Sequence, residues 1–382
     1  MSSPWITLSD PDITTAELRA VTDVLQTPML SGGPAVAAFE SAFAAWLGRR
    51  HAVAVASGTI GLLLALKASG VGPGHEVIAS PFSWRETTHA IALAGATPVL
   101  ADIDYWSGVL VPEKAEARIT ARTRCIVASN PNGHPAPWAA LRDLATRHGL
   151  PLIEDTTEAI GSVYQGARVG TFGDCSVFDF SQPGPLVCGE GGMVVTDDDD
   201  LAHALRRHRA RRSDERSSVV IGMTPPLQAE MSDLAAALGL AQLRRIDEIL
   251  AKRKLVESLY FEFMQSFEGI KPPYIGPEVD EVHWFLYVVH LGTRFTRSGR
   301  DAIVEDMRTE QVEAAAYCHP LHLQPFYFDL GFRRGDFLVT EKVADRAVAL
   351  PFHTHLTKDQ VEFIVGTMKD ASVNVGAGAA IF

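Results

Sequence analysis

Three short stretches carry side chains able to do chemistry. Ser57-Gly58-Thr59 joins an apolar run, His51 to Ala56, to a helical run from Ile60 to Ala68. Free N–H groups at a helix start, two hydroxyls and a glycine that permits close approach suit a phosphate or carboxylate. The same three residues also read as a plain helix cap. Asp155 ends the run Leu152-Ile153-Glu154-Asp155, where open α/β sheets place ligand groups. A carboxylate there can hold a cationic ring nitrogen or a metal, or simply cap the turn at Thr156-Thr157. The stretch Cys175 to Thr196 reads as two buried strands joined by a Pro/Gly-punctuated turn and the glycine-rich Gly189-Glu190-Gly191-Gly192. That pattern is an active-site loop. Trp84 follows another strand end, and its flat face suits a planar ligand or the core.

The elements that position these groups follow from periodicity. A helix is predicted from Asp10, as its cap, to about Gln26, with Glu17 and Arg19 facing out and Leu18, Val21, Val24 and Leu25 facing in. A second runs from Ala35 to Trp46, after a turn at Ser31 to Pro34. Short apolar strands at 51–56, 76–80, 97–102, 124–129 and 151–155 alternate with helical runs such as Trp138 to His148. Such alternation specifies a mostly parallel sheet covered on both faces. Asp197 to Asp200 caps a helix near Leu201. The basic stretch Arg206 to Arg212 reads as a solvated helix face or as a contact for the phosphates of a nucleotide-linked substrate. After about Arg245 a long helical segment, Met231 to Phe267 with a break, gives way to a smaller α+β domain with a strand at 284–291 and helices at 300–310 and 358–369. The domains are therefore read as 1–245 and 246–382, with a frayed small-residue tail from Ala371 to Ala380.

Composition narrows the function. With 382 residues, 47% hydrophobic and 21% charged, the chain can bury large cores. A formal net charge of −12 argues against nucleic acid or an anionic membrane as partner. The four cysteines, Cys125, Cys175, Cys188 and Cys318, match neither a zinc spacing nor a disulfide framework, which suits a reduced cytoplasmic protein. No apolar stretch is long enough to span a membrane.

In combination these pieces resemble the DegT/DnrJ/StrS family of sugar aminotransferases. The matching stretches are His51 to Thr59, Ala94 to Asp102, Ile153 to Asp155, Gly170-Thr171-Phe172-Gly173-Asp174, Gly189 to Gly192, Met231 to Leu243 and Tyr317 to His322, in the family's order. The resemblance implies the α/β fold-type I architecture of pyridoxal-phosphate (PLP) enzymes, with a seven-stranded, mostly parallel sheet in a large aminotransferase-like domain and a smaller C-terminal domain. It implies that Ser57, Gly58 and Thr59 receive the cofactor phosphate, that Trp84 stacks on the pyridine, and that Asp155 pairs with its nitrogen. It implies a homodimer and a small-molecule substrate such as a nucleotide-linked keto sugar.

The sequence departs from that pattern at four places. Counted back from Gly189 to Gly192, the family's Schiff-base lysine falls on Gly184, and its phosphate-binding serine on Asp179. The family's glutamine falls on Glu158, and its Asn-x-Arg reads Gln228-Ala229-Glu230. Lys114 is the sole lysine from Val71 to Ala251, and nothing places it at the site. Like charges about 4 Å apart repel by about 4 kcal/mol at an effective dielectric near 20, so Asp179 opposes a phosphate. Three readings follow. One is an enzyme using PLP or its pyridoxamine form (PMP) without a covalent link, with Glu158, His134 or Glu190 as proton carrier. Another is a non-catalytic homologue that pairs with an active relative. The third dispenses with PLP and uses Asp155, Glu158, Asp179 and Glu190 for acid–base work or a hard cation.

Overall fold

The computed structural model describes residues 5–210, 226–265 and 269–379. Its centre is a seven-stranded sheet of β1 (His51–Val55), β2 (Glu76–Ala79), β3 (Thr97–Leu100), β4 (Thr123–Ser129), β5 (Leu152–Asp155), β6 (Cys175–Asp179) and β7 (Gly192–Thr196). The spatial order is β1-β7-β6-β5-β4-β2-β3. Neighbours pair in parallel except β7, which is antiparallel to both β1 and β6. Alternate residues feed opposite layers: Val53, Val55, Ile153 and Val177 enter one apolar cluster, while Ala52, Ala54, Phe178 and Met193 enter another. A sheet buried on both faces needs such near-continuous apolar strands.

Helices α1 (Thr15–Leu25), α2 (Pro34–Leu47), α3 (Gly58–Ala68) and α4 (Arg85–Leu93) open the chain. The reading of α1 is corrected in two respects. Its cap is Thr14, in a capping box with Glu17, and not Asp10. Its faces also differ in part: Glu17 is buried and Leu18 and Leu25 are 63% and 59% exposed, whereas Arg19 is exposed and Val21 and Val24 half-buried as expected. The reason lies far along the chain, where Arg245 donates to Glu17 at 2.8 Å and to Asp12 at 2.7 Å. Burial alone would raise the Glu17 carboxyl, but Thr14 and Arg245 more than offset this and hold it at about 2.

The break in the long helical segment falls at Arg245, between helices Asp233–Arg244 and Ile246–Met264. The second core gathers around a four-stranded antiparallel sheet made by Ile270–Lys271, Tyr287–Leu291, Ala315–Ala316 and Ala347–Leu350. Ile6 joins that core by bridging to Val312, so the described N-terminus packs with the C-terminal half. The expected frayed tail is instead part of one helix, Lys358–Ala379, anchored by buried Ala371 and Ser372. Asp198 caps Asp199–Arg209 as predicted, accepting from the Leu201 N–H at 2.9 Å. Arg209 is not a solvated cation, since it donates to Glu40 at 2.5 Å and to the Ala54 carbonyl at 2.9 Å. Arg211 and Arg212 lie outside the described residues.

Candidate functional site

Parallel strands in one register bring their C-terminal ends to one edge, where Ser129 of β4 stands beside Asp155 of β5. The N-terminus of α3 opens at the same edge because β1 runs parallel to β6 through the intervening β7. Asp155 itself is aimed by its neighbour. Glu154, fully buried, accepts from the N–H groups of Gly170 at 2.6 Å, Phe172 at 2.9 Å and Gly173 at 3.3 Å, and from Asn130 and Ser176 at 3.1 Å. The Gly170 to Asp174 motif therefore wraps a carboxylate. At Gly173 a Cβ would lie 2.4 Å from the Cys175 carbonyl oxygen, so glycine is required for the close approach.

The Asp155 side chain accepts from the Thr87 hydroxyl at 2.6 Å and the Ser129 hydroxyl at 3.1 Å, and from the Thr157 N–H at 3.1 Å. It thus caps the following turn and is held in place by two hydroxyls. Three of about four lone-pair directions are used, which leaves room for one more donor. Asp155, Gly58, Thr59, Trp84, Asp179 and Glu86 all border one narrow, open cavity. The sequence reading missed Thr87, Ser129 and Glu86. Glu86 lies two residues after Trp84 in the first turn of α4, a spacing that could have been noticed.

The helix-start motif is present, with an unexpected occupant. Ser57 caps α3, its hydroxyl accepting from the Ile60 N–H at 3.3 Å. The Gly58 N–H donates at 2.6 Å to Asp179 Oδ2. Asp179 Oδ1 accepts from the Ser181 N–H at 2.8 Å and from the Ser181 hydroxyl. A Cβ at Gly58 would lie 2.7 Å from the Asp179 Cβ. The glycine admits the chain's own carboxylate.

Glu158 is buried but does not line this cavity. Its Oε2 accepts from the Asn132 N–H at 2.6 Å and the Tyr317 hydroxyl at 2.5 Å, while Oε1 has no partner. Burial, assisted by the Asp155 and Glu86 charges and opposed by Tyr317 and Asn132, pushes its carboxyl up to about 7.

Two proposed proton carriers are corrected. His134 has both ring nitrogens engaged: Gly276 N–H donates to Nε2 at 3.1 Å, so Nδ1 carries the proton and donates to the Pro135 carbonyl at 2.8 Å. Burial lowers its imidazolium stability further. It borders a separate cavity with Tyr274 and Trp106. Glu190 is exposed on its turn and borders neither cavity, so the four acids do not converge. Among the described residues no group of three or more His, Cys, Asp or Glu side chains is placed to hold a metal ion. Lys114 is also elsewhere, donating to the Ile103 carbonyl at 3.0 Å. A Cβ at Gly184 would meet nothing nearer than 3.7 Å, with the Phe285 ring at 3.9 Å, and Phe285 in turn packs edge-on to Trp84 at 6.3 Å.

A strand-end carboxylate beside a helix start, on a seven-stranded sheet of this order, has the fold-type I architecture of the pyridoxal-phosphate aminotransferases. The model of the DegT/DnrJ/EryC1/StrS aminotransferase family matches residues 11–369, and the chain belongs to that family. It is 33% identical over 377 residues to the spore coat polysaccharide biosynthesis protein SpsC of Bacillus subtilis, covering 96% of this chain and 97% of SpsC. It is 33% identical over 375 residues to GDP-perosamine synthase of Caulobacter vibrioides, covering 97% and 99%. The fold superposes on Spr1654 of Streptococcus pneumoniae, in its PMP form, with a TM-score of 0.93 at 24% identity over 98% of this chain and 100% of that one.

The residues fit the ring end of pyridoxal phosphate, through Asp155 and Trp84. They do not fit its phosphate end, because the Gly58 N–H is already given to Asp179. Among the described residues no helix is long and apolar enough to cross a membrane.

Proposed function

We propose that this chain works in nucleotide-sugar or secondary-metabolite biosynthesis, in the cytoplasm, as a family member that has abandoned lysine-dependent amino transfer. The observation that carries this reading is Gly184, which stands where the resemblance expects the Schiff-base lysine and offers no amine. Its φ of +157° lies at the edge of the region that side chains avoid, which suits a position settled as glycine. Relatives named for spore coat polysaccharide and GDP-perosamine support the metabolic setting and a nucleotide-linked keto sugar as substrate class. Asp155 then serves as a hydrogen-bond acceptor for a ring or an amine, and Trp84 as its wall.

The exposed Leu18 and Leu25 of α1, with Met29 and Leu30 after it, give apolar surface for a second subunit. This favours a homodimer, and it equally serves the reading in which the chain supports an active relative.

The test is an absorption titration with pyridoxal phosphate, followed by borohydride reduction and peptide mass mapping. The expected result is no saturable, stoichiometric adduct on any single lysine, and no amino transfer to a keto-sugar nucleotide. One equivalent fixed to one lysine, together with turnover, would overturn the proposal.

A further inference from the structure

We infer that Asp179 is a built-in counter-ion standing where a ligand phosphate would sit, and that this cavity takes an unphosphorylated ring bearing a protonatable nitrogen. The inference concerns the phosphate end of the site and does not depend on Gly184.

Three observations carry it. First, the leading donor of the helix start, the Gly58 N–H, is already committed within the chain. The Gly58 N–H, at the first position of an 11-residue helix, donates to Asp179 at 2.6 Å, and Ser181 satisfies the other carboxylate oxygen through its N–H at 2.8 Å and its hydroxyl. The positive end of the helix dipole is thereby neutralised internally. A phosphate entering here would have to displace a carboxylate tethered to the end of β6, or sit against it.

Second, the two positions are matched. The space beside the Gly58 Cα is filled by the Asp179 side chain, with Cβ 2.7 Å and Oδ2 2.8 Å from where a Gly58 Cβ would stand. The close approach that a glycine at a helix start usually offers to a ligand is used by the protein itself.

Third, the acids that border the cavity are Asp155, Asp179 and Glu86. Asp155 holds its carboxylate in place with Thr87, Ser129 and Thr157, and retains capacity for one further donor. Trp84 supplies a flat wall. An aromatic face beside carboxylates selects for a cation, by ion pairing and by cation–π attraction. The site has exchanged an anion's end for a cation's.

Two probes that differ only in the phosphate separate the possibilities: pyridoxamine and pyridoxamine 5′-phosphate, titrated calorimetrically into the full-length protein. The wild type is expected to bind pyridoxamine at least about tenfold more tightly than its phosphate, given like-charge repulsion at short range. Asp179→Ser frees the Gly58 N–H and adds a hydroxyl, so it is expected to reverse the order by at least about tenfold. Asp179→Asn keeps an acceptor for Gly58 while removing the charge, so its ratio should fall between the two. It also provides the test should the serine variant fail to fold. Tighter binding of the phosphate by the wild type would overturn the inference, as would a ratio that neither substitution moves. Wild-type protein that binds neither probe would overturn the assigned ligand class.

Discussion

Glu154→Ala is expected to lower the melting temperature by roughly 5–8 °C, from a loss on the order of 4 kcal/mol. The carboxylate is fully buried and is the acceptor for three backbone N–H groups and two side chains, all contributed by segments outside its own strand. Truncation leaves the Gly170, Phe172 and Gly173 donors without a partner in a closed space. An unsatisfied buried donor costs about 1–3 kcal/mol, and water entering the hole recovers part of that. Glu154→Gln should fall between wild type and alanine, since one amide oxygen survives while the new NH₂ faces other donors. Because Asp155 follows directly, the alanine variant should also lose pyridoxamine affinity. Differential scanning calorimetry settles the first point; a melting curve within 1 °C or so of wild type would mean that the loop is held by something else.

A second large effect is expected from pH. Glu158 has an ordinary value of 4.5 that burial pushes up to about 7 in the folded protein. A carboxyl raised on folding binds its proton more tightly in the native state. Its stabilisation is therefore fully present below about pH 4.5 and is lost progressively as the pH rises to about 7. The loss across that window is on the order of 3 kcal/mol. The unpartnered Oε1 is the atom on which that proton would sit. Glu158→Gln stays neutral and still accepts from Asn132 and Tyr317, so it should remove this loss and be the more stable protein at pH 8. Urea unfolding of both proteins at pH 5 and pH 8 measures the difference. Parallel pH profiles for the two proteins would sink the assignment.

Much of the frame was legible because its causes are local. The strands of the sheet announce themselves by short apolar runs between turn residues, and β4 and β5 lie within one residue of the expected bounds. The helix at Trp138–His148 coincides with its predicted span. Asp155 was found because a carboxylate at the end of an apolar run is conspicuous, and the sheet places such ends at a ligand edge. Other features were illegible because their causes are remote. Glu17 was placed outward by its charge, yet its partner Arg245 lies 228 residues on. Glu190 and His134 qualified as proton carriers by residue type alone. One proves exposed, and the other is fastened through both ring nitrogens to backbone groups.

The sequence by itself determined the family, the strand-end acid at Asp155, the absence of a lysine at Gly184 and the presence of an acid at Asp179. These are matters of residue type and order along the chain. What Asp179 does there was decided only by the tertiary structure. Read in one dimension, it is a charge that repels a phosphate. In the fold, β6 carries it across 121 residues of sequence separation to the first N–H of α3, where it satisfies the helix and occupies the anion's place. Repulsion falls with distance and is screened, whereas a hydrogen bond of 2.6 Å requires two particular groups to meet, and only the packed sheet brings them together.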